Sequence, residues 1–197
     1  MTFADNNLAE QAANGDAGAF ARLVRNHSGL VYRVALRILG AEDAQDASQE
    51  VWIRVWRNVK NFRGDSAFTT WLYRITVNTC LSTRRRKQDR EAREFGSEQQ
   101  LSYLPIPAGY EEDPETTALV EERREELLRA LKHVRAEHRA ALVLRHMEGL
   151  SYAEIARILE VPDGTAKGWV NRGRAALLVA LTEEGGGENP ESGVRSG

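Results

Sequence analysis

Across residues 19–39, the side chains of Phe20, Leu23, Val24, His27, Val31, Val34, Ala35 and Ile38 recur at three- and four-residue steps, and Gly40 follows directly. That spacing puts them on one stripe of an α-helix, whereas a half-buried strand needs alternation at every second residue. A helix this long has to bury its stripe against other helices, and glycine is the residue that best ends it. The rest of the chain agrees. Beta-branched alternation is almost absent, and Ala, Leu, Arg and Glu recur at helical spacing. The expected fold class is therefore all-α. With 197 residues and 42% hydrophobic content there is enough material for one ordinary domain or two small helical ones.

A second helix is predicted over residues 42–59, with Ala44, Ala47, Val51, Val55 and Val59 on one side. Asp43, Asp46, Gln49, Glu50, Arg54 and Arg57 share the other side. Residues 61–65 break the period, and Asp65 or Ser66 is placed to cap a third helix whose inward face is Phe68, Trp71, Leu72, Ile75 and Thr79. These three helices form an expected first domain, residues 14–87. Residues 88–117 lose all periodicity and collect Gly96, Pro105, Pro107, Gly109 and Pro114 among polar side chains, which reads as a flexible linker. Periodicity resumes through Leu127, Leu128, Leu131 and Val134, then Ala141, Leu142 and Leu144, then Ile155, Ile158 and Leu159. Residues 118–182 are accordingly expected to form a bundle of about four helices. The Gly-rich polar tail, 183–197, has nothing to bury and is expected to be disordered.

Several functional classes find no support. The single cysteine, Cys80, has no partner for a disulfide or a thiolate zinc site and reads as a core thiol. His27, His133, His138 and His146 are scattered without ligand spacing, and no nucleophile, base and orienter group together. An enzyme is not expected, nor is a metal or other cofactor. The longest apolar run, residues 175–181, is far below the roughly 20 residues of a membrane span. The N-terminal residues lack the basic-then-apolar order of a signal peptide, so a cytoplasmic protein without membrane insertion is expected. A formal charge of −2 is weak support for a free-standing DNA binder. Yet the charge is segregated: Arg84, Arg85, Arg86 and Lys87 cluster, while eight carboxylates gather between residues 111 and 126. Such a pattern fits a DNA reader that works inside a larger complex.

The C-terminal segment SYAEIARILEVPDGTAKGWVNRGR carries a helix-turn-helix pattern over residues 153–172. Ser151 caps the first helix, with Glu154 completing a capping box three residues on, and Ala156 is small where a second helix has to cross. Val161 fills the turn, and Asp163 or Gly164 starts the next helix, on which Ala166, Val170, Gly173 and Leu177 face inward. In such a motif the second helix enters the major groove. Ser151, Thr165, Lys167, Trp169, Asn171, Arg172 and Arg174 are the candidate contacts.

With these segments in view, the chain resembles the extracytoplasmic-function group of bacterial sigma-70-type RNA polymerase sigma factors, which carry only the second and fourth conserved sigma domains. The resemblance runs through GDAGAFARLVRNH, VYRVALRILG, DAQDASQEVWIRVW and FRGDSAFTTWLYRITVN, then LRHMEGLSYAEIARILEVPDGTAK, in that order and over residues 14–181. It implies a factor that joins core RNA polymerase and directs it to promoters. The helix over residues 43–56 would dock on the clamp helices of the largest subunit through Asp43, Asp46, Gln49 and Glu50, with Trp52 and Trp56 in the core, and the second domain would meet the flap. The next loop and helix would capture a base flipped from the −10 element. Its candidate residues are Lys60, Asn61, Phe62, Arg63, Asp65 and Ser66, with Arg74, Asn78, Arg84 and Arg85 on the backbone and Trp71 in the core. Phe62 is equally suited to packing. Group members are commonly held inactive by an anti-sigma factor, which the resemblance adds as a partner beside polymerase and promoter DNA.

The recognition helix departs from the group. Many members read GTVKSRLHRAR where this chain reads GTAKGWVNRGR, so an arginine able to make a bidentate base contact is missing. Gly168 and Gly173 each weaken a helix by about 1 kcal/mol relative to alanine, and Glu160 stands where members often place glycine. Two other readings compete with a sigma factor: a one-component helix-turn-helix regulator that needs no polymerase, and a decoy that binds polymerase without starting a transcript.

Overall fold

The computed structural model describes residues 2–93 and 114–185, which form eight α-helices and one 3-10 turn. In chain order these are α1 (Thr2–Ala13), α2 (Ala17–Leu39), α3 (Ala41–Asn58), the 3-10 turn (Val59–Asn61), α4 (Phe68–Arg93), α5 (Pro114–Lys132), α6 (Ala136–His146), α7 (Tyr152–Leu159) and α8 (Asp163–Gly185). Among the described residues there is no strand, as the periodicity requires. No described helix is long and apolar enough to cross a membrane.

Local chemistry sets most of these ends. Asp16 accepts from the Ala19 N–H at 3.0 Å and starts α2. Gly40, at a φ of 93° that favours glycine, ends it by returning its N–H to the Leu36 carbonyl. The Ser151–Glu154 capping box opens α7 in both directions, and α8 starts at Asp163. The start of α4 differs from expectation. Neither Asp65 nor Ser66 caps it: the Phe68 N–H is taken by Asn6 Oδ1 at 2.8 Å, from the helix α1 that the apolar pattern does not announce. At its other end α4 continues through residues 88–93, and α5 already begins at Pro114, so both edges of the expected linker are helical. The first residues of the expected disordered tail, 183–185, instead belong to α8, while the rest of it and the middle of that linker, 94–113, lie outside the described residues.

Two clusters of buried side chains hold the helices together. One lies among α1 to α4, where Leu23 and Val31 meet Val51, Val55, Phe68 and Leu72, with Ala9 and Ala12 of α1 closing one side. The other crosses the chain's two halves. Val34, Ala35 and Ile38 of α2, Ala44 and Ala47 of α3, and Tyr73, Val77 and Cys80 of α4 pack with Ala140, Ala141 and Leu144 of α6. Ile155 and Ile158 of α7 and Ala166 and Val170 of α8 complete this cluster. Alanines at the crossings let the helix axes approach closely. Cys80 is fully buried here, and burial pushes its thiol up to about 12, so the sulfur is a core group with no thiolate character at neutral pH.

The largest fully buried side chain is Arg139 of α6. Its guanidinium donates to the carbonyls of Ile38 at 2.7 Å, Lys132 at 2.7 Å and Val134 at 2.9 Å. Those oxygens lie at or just past the C-terminal ends of α2 and α5, where helices leave carbonyls unpaired. One charge therefore caps two helices from opposite halves of the sequence.

Candidate nucleic-acid and polymerase interfaces

On α3, Ala44, Ala47, Val51 and Val55 face inward and leave a helix surface free on the other side. Asp46 and Gln49 are exposed on it. Glu50 accepts from Arg54 Nε at 2.7 Å, a hydrogen bond that holds its carboxyl below the usual range. Asp43 stands slightly apart, bonded with Glu42 to Lys87 of α4 at 3.1 and 3.0 Å. The same surface continues into Ile53 and Trp56, which are 45% and 48% exposed. Trp56, expected in the core, instead lies on the outside with its ring edge-on to Phe20 at 4.7 Å. The 3.6-residue turn explains it, because residues 46, 49, 50, 53 and 56 follow one face away from the buried stripe. Trp52 is half-buried against the same Phe20.

Beyond α3, a cleft of about 340 Å³ opens between the end of that helix and α4. Arg54, Asn58, Asn61, Trp71, Arg74, Ile75 and Asn78 line it. It thus joins three predicted residues, Asn61, Arg74 and Asn78, with Arg54 and Asn58, which the sequence reading missed although they lie four residues apart on one face of α3. Trp71, expected in the core, is half-buried. One side of its ring packs on Phe62 and Phe68, at centroid distances of 5.5 and 5.8 Å, while the indole also lines the cleft. Lys60, Arg63 and Asp65 are exposed on the adjoining loop, and Ser66 is half-buried. Phe62 is only 8% exposed and sits edge-on to Phe68, so of its two readings the packing one describes this structure. Arg84 and Arg85 lie further along α4 and line a separate opening with Arg135 and Glu137.

On the C-terminal pair α7 and α8, Lys167, Asn171, Arg172 and Arg174 are exposed, and Thr165 is half-buried in the first turn of α8. Ser151 is exposed, but its hydroxyl serves the capping box, donating to Glu154 at 2.6 Å. Trp169 is half-buried against the second core cluster and tilted towards the His138 ring at 6.2 Å. Gly173 has a steric reason that its helix propensity hides: a Cβ there would stand 2.7 Å from the His138 carbonyl oxygen, where α8 crosses α6.

Charged contacts also join the halves. Glu148 accepts from Arg37 Nη1 at 3.0 Å and from the Tyr73 hydroxyl at 2.8 Å. Arg74, on the cleft, pairs with Glu160 at the end of α7, and Arg85 stands 3.9 Å from Glu137 of α6.

The segments that carry these surfaces match two protein-family models. The model named Sigma-70 region 2 matches residues 23–91, and that named Sigma-70, region 4 matches residues 124–177. The RNA polymerase sigma-H factor of Pseudomonas aeruginosa is 35% identical over 187 residues, covering 90% of this chain and 93% of that protein. The chain belongs to the extracytoplasmic-function sigma factors. The ECF RNA polymerase sigma-E factor of Escherichia coli K12 is 36% identical over 182 residues, covering 88% of this sigma factor and 92% of its relative. Among solved structures, CnrH in complex with the cytosolic domain of CnrY superposes with a TM-score of 0.64 at 27% identity, over 92% of this chain and 99% of that one. RpoE from Bartonella quintana, in complex with the anti-sigma factor NepR, shares the fold with a TM-score of 0.65 at 24% identity, over 83% and 96% of the two chains. The alternative of a one-component regulator falls away with this membership.

Proposed function

We propose that this sigma factor docks on core RNA polymerase through α3, opens the −10 element over the α3–α4 cleft and reads the −35 element with α8. The observation that carries the reading is the juxtaposition of an unpartnered acidic and apolar face on α3 with a cleft that joins an indole ring to three amides and two guanidinium groups. Asp46, Gln49, Glu50, Ile53 and Trp56 form the docking face, whose carboxylates suit a basic partner and whose rings give it a desolvated centre. In the cleft, Trp71 offers a stacking surface for an extruded base, Asn58, Asn61 and Asn78 offer hydrogen bonds to its edge, and Arg54 and Arg74 hold phosphates. Lys60, Arg63, Asp65 and Ser66 shape the mouth, and Phe62 supports Trp71 from behind. Lys167, Asn171, Arg172 and Arg174 present themselves to the major groove, with Thr165 at the start of α8. No bond is made or broken by the protein: melting is driven by binding the flipped base, and the chemistry belongs to the polymerase. Cytoplasmic location follows from that partnership.

In the packed arrangement Arg74 and Arg85 face Glu160 and Glu137 instead of phosphates, so promoter engagement requires the two halves to part. An anti-sigma factor that spans both halves would hold them together, in keeping with the partners present with CnrH and RpoE. Helices α1–α4 and α5–α8 are the two units that part in this opening.

Promoter-dependent transcription tests the reading directly: purified core polymerase, fragments of the source genome, and reactions with and without this chain. Discrete new transcripts are expected. Core binding without any transcript would support a decoy, and neither binding nor transcripts would overturn the proposal.

A further inference from the structure

The start of α4 decides how the loop between the 3-10 turn and α4, residues 62–67, is presented, and its cap comes from elsewhere in the chain. The first turn of any helix has N–H groups without partners, and the residue just before it ordinarily supplies an oxygen. Ala67 has none to offer, Ser66 turns its hydroxyl to the Ala67 carbonyl at 3.5 Å, and Asp65 is exposed. Asn6 of α1 fills the position, accepting from the Phe68 N–H at 2.8 Å.

Helix α1 is itself held firmly. Ala9 and Ala12 are buried against the first core cluster, and the buried Asp5 carboxylate stands 3.3 Å from His27 Nε2 of α2. The His27 ring lies 5.6 Å from that of Phe68, and Phe68 packs on both Phe62 and Trp71. Gly64, in the left-handed region at a φ of 73°, turns the loop, and a Cβ added there would stand 3.8 Å from Oε1 of Glu10 on α1. Thus α1 holds the exit of the loop and leaves little room beside its bend.

From this geometry we infer that Asn6 is a positioning residue for promoter opening: by capping α4 from outside the loop, it fixes Phe68 and Trp71 while leaving the exposed Asp65 free for DNA. The inference rests on the proposed role of the α3–α4 cleft and adds a part that lies outside the segment matching Sigma-70 region 2, which begins at residue 23. Asn6 acts through Phe68 and touches no base.

The test uses holoenzyme assembled on core polymerase, with permanganate reactivity of −10 thymines as the readout, on the duplex fragment that gives the strongest transcript. Because a side-chain cap shifts a helix-start equilibrium by roughly fivefold, Asn6→Ala should lower opening of the duplex by about that factor. A template already unpaired at the −10 element should restore its transcription, and core affinity should match wild type. Asn6→Asp, which keeps an accepting oxygen, should open the duplex nearly as wild type does. Equal losses on duplex and unpaired templates, an Asn6→Ala protein that opens duplex normally, or an Asn6→Asp protein as poor as Asn6→Ala would each overturn the role of Asn6. Wild-type holoenzyme that opens no duplex would overturn the sigma reading of the cleft and this inference with it; normal wild-type opening keeps the two failures apart.

Discussion

Arg139 Nη1 donates to the carbonyl oxygen of Ile38 at 2.7 Å, across 101 residues of sequence. Burial, followed by the neighbouring charge of Arg84, draws the pKa of this guanidinium down to about 9, so it is still a cation at neutral pH while wholly enclosed. Such a charge is tolerable only where dipoles surround it, and the C-terminal carbonyls of α2 and α5 supply them. Replacing it with Met keeps the volume and strands the carbonyls of Ile38, Lys132 and Val134. The expected loss is about 2–4 kcal/mol, since each buried acceptor left without a partner is costly. Lysine should be almost as poor, because an ammonium cannot span three oxygens as a planar fork does. Urea unfolding measures both, and an unchanged midpoint in Arg139→Met would mean that water reaches these carbonyls.

Glu160 ends α7 at a φ of 56°, in the left-handed region where a side chain is strained, and its carboxylate pairs with Arg74. Glycine removes the strain and the partner together, while alanine removes only the partner. Glu160→Gly is expected to raise stability by up to about 1 kcal/mol, whereas Glu160→Ala should not. Both should increase the affinity of the free protein for single-stranded DNA by releasing Arg74, most clearly at low salt. Equal DNA affinity in all three proteins, measured by fluorescence anisotropy, would show that the pair does not compete with phosphate.

The two glycines of the recognition helix should respond in opposite ways. At Gly168 a Cβ would meet only the flexible end of Arg172, at 3.4 Å, so Gly168→Ala is expected to stabilise α8 by up to about 1 kcal/mol. At Gly173 the same methyl would meet backbone, 2.7 Å from the His138 carbonyl oxygen, and α8 would have to move off α6. Gly173→Ala should therefore cost about 1–3 kcal/mol in spite of its better propensity. Thermal unfolding of the two variants separates propensity from packing.

These contrasts mark what was legible in the chain. The α2 stripe, its glycine stop and the capping box of α7 are short-range patterns, with partners three or four residues apart, and the structure reproduces them. Cys80 was legible as a core thiol on other grounds, because a lone cysteine without a partner is most often buried, and the structure buries it. Arg139 was not, because an arginine reads as surface until distant helix ends converge on it. Asn6 caps a helix 62 residues away, a relation no local window contains. Helix α1 buries little more than Ala9 and Ala12 and so shows almost no periodicity. Of the polar residues lining the cleft, the sequence reading singles out Asn61, Arg74 and Asn78 but not Arg54 or Asn58. The exposure of Trp56 was not legible, since an aromatic residue beside a core stripe is assigned to the core by default.

His138 should make stability depend on acidity. Its imidazole pKa lies below the usual 6.5 because of partial burial first, then the charges of Arg172 and Arg135. In the unfolded chain it protonates at its ordinary value, so as pH falls through about 6.5 the unfolded state gains a proton before the folded state does. The stabilising contribution is complete above that value and is lost as pH falls towards the lower folded pKa. His138→Gln should flatten this part of the profile, and Arg172→Ala should move the imidazole titration upward when followed by NMR. A His138 resonance titrating above 6.5 would reverse the argument.

The α3 face mixes charge with apolar surface, and salt distinguishes their roles. Asp46→Arg and Glu50→Arg should weaken binding to core polymerase strongly at low ionic strength and less at high, because exposed charges are screened within about 10 Å at 0.1 M salt. Ile53→Ala and Trp56→Ala should weaken it by a factor that salt hardly changes, and for the tryptophan a loss of about 2 kcal/mol is typical of a buried aromatic anchor. Both side chains are nearly half exposed in the free protein, so these truncations should leave helicity and the unfolding midpoint close to wild type. The comparison needs all four variants in one binding assay at two salt concentrations. If Trp56→Ala binds core polymerase as wild type does while the charge reversals fail, docking is electrostatic and the exposed indole serves only to cover Phe20. If Trp56→Ala fails at both salt concentrations, the apolar ridge is the centre of the interface and the carboxylates steer its approach.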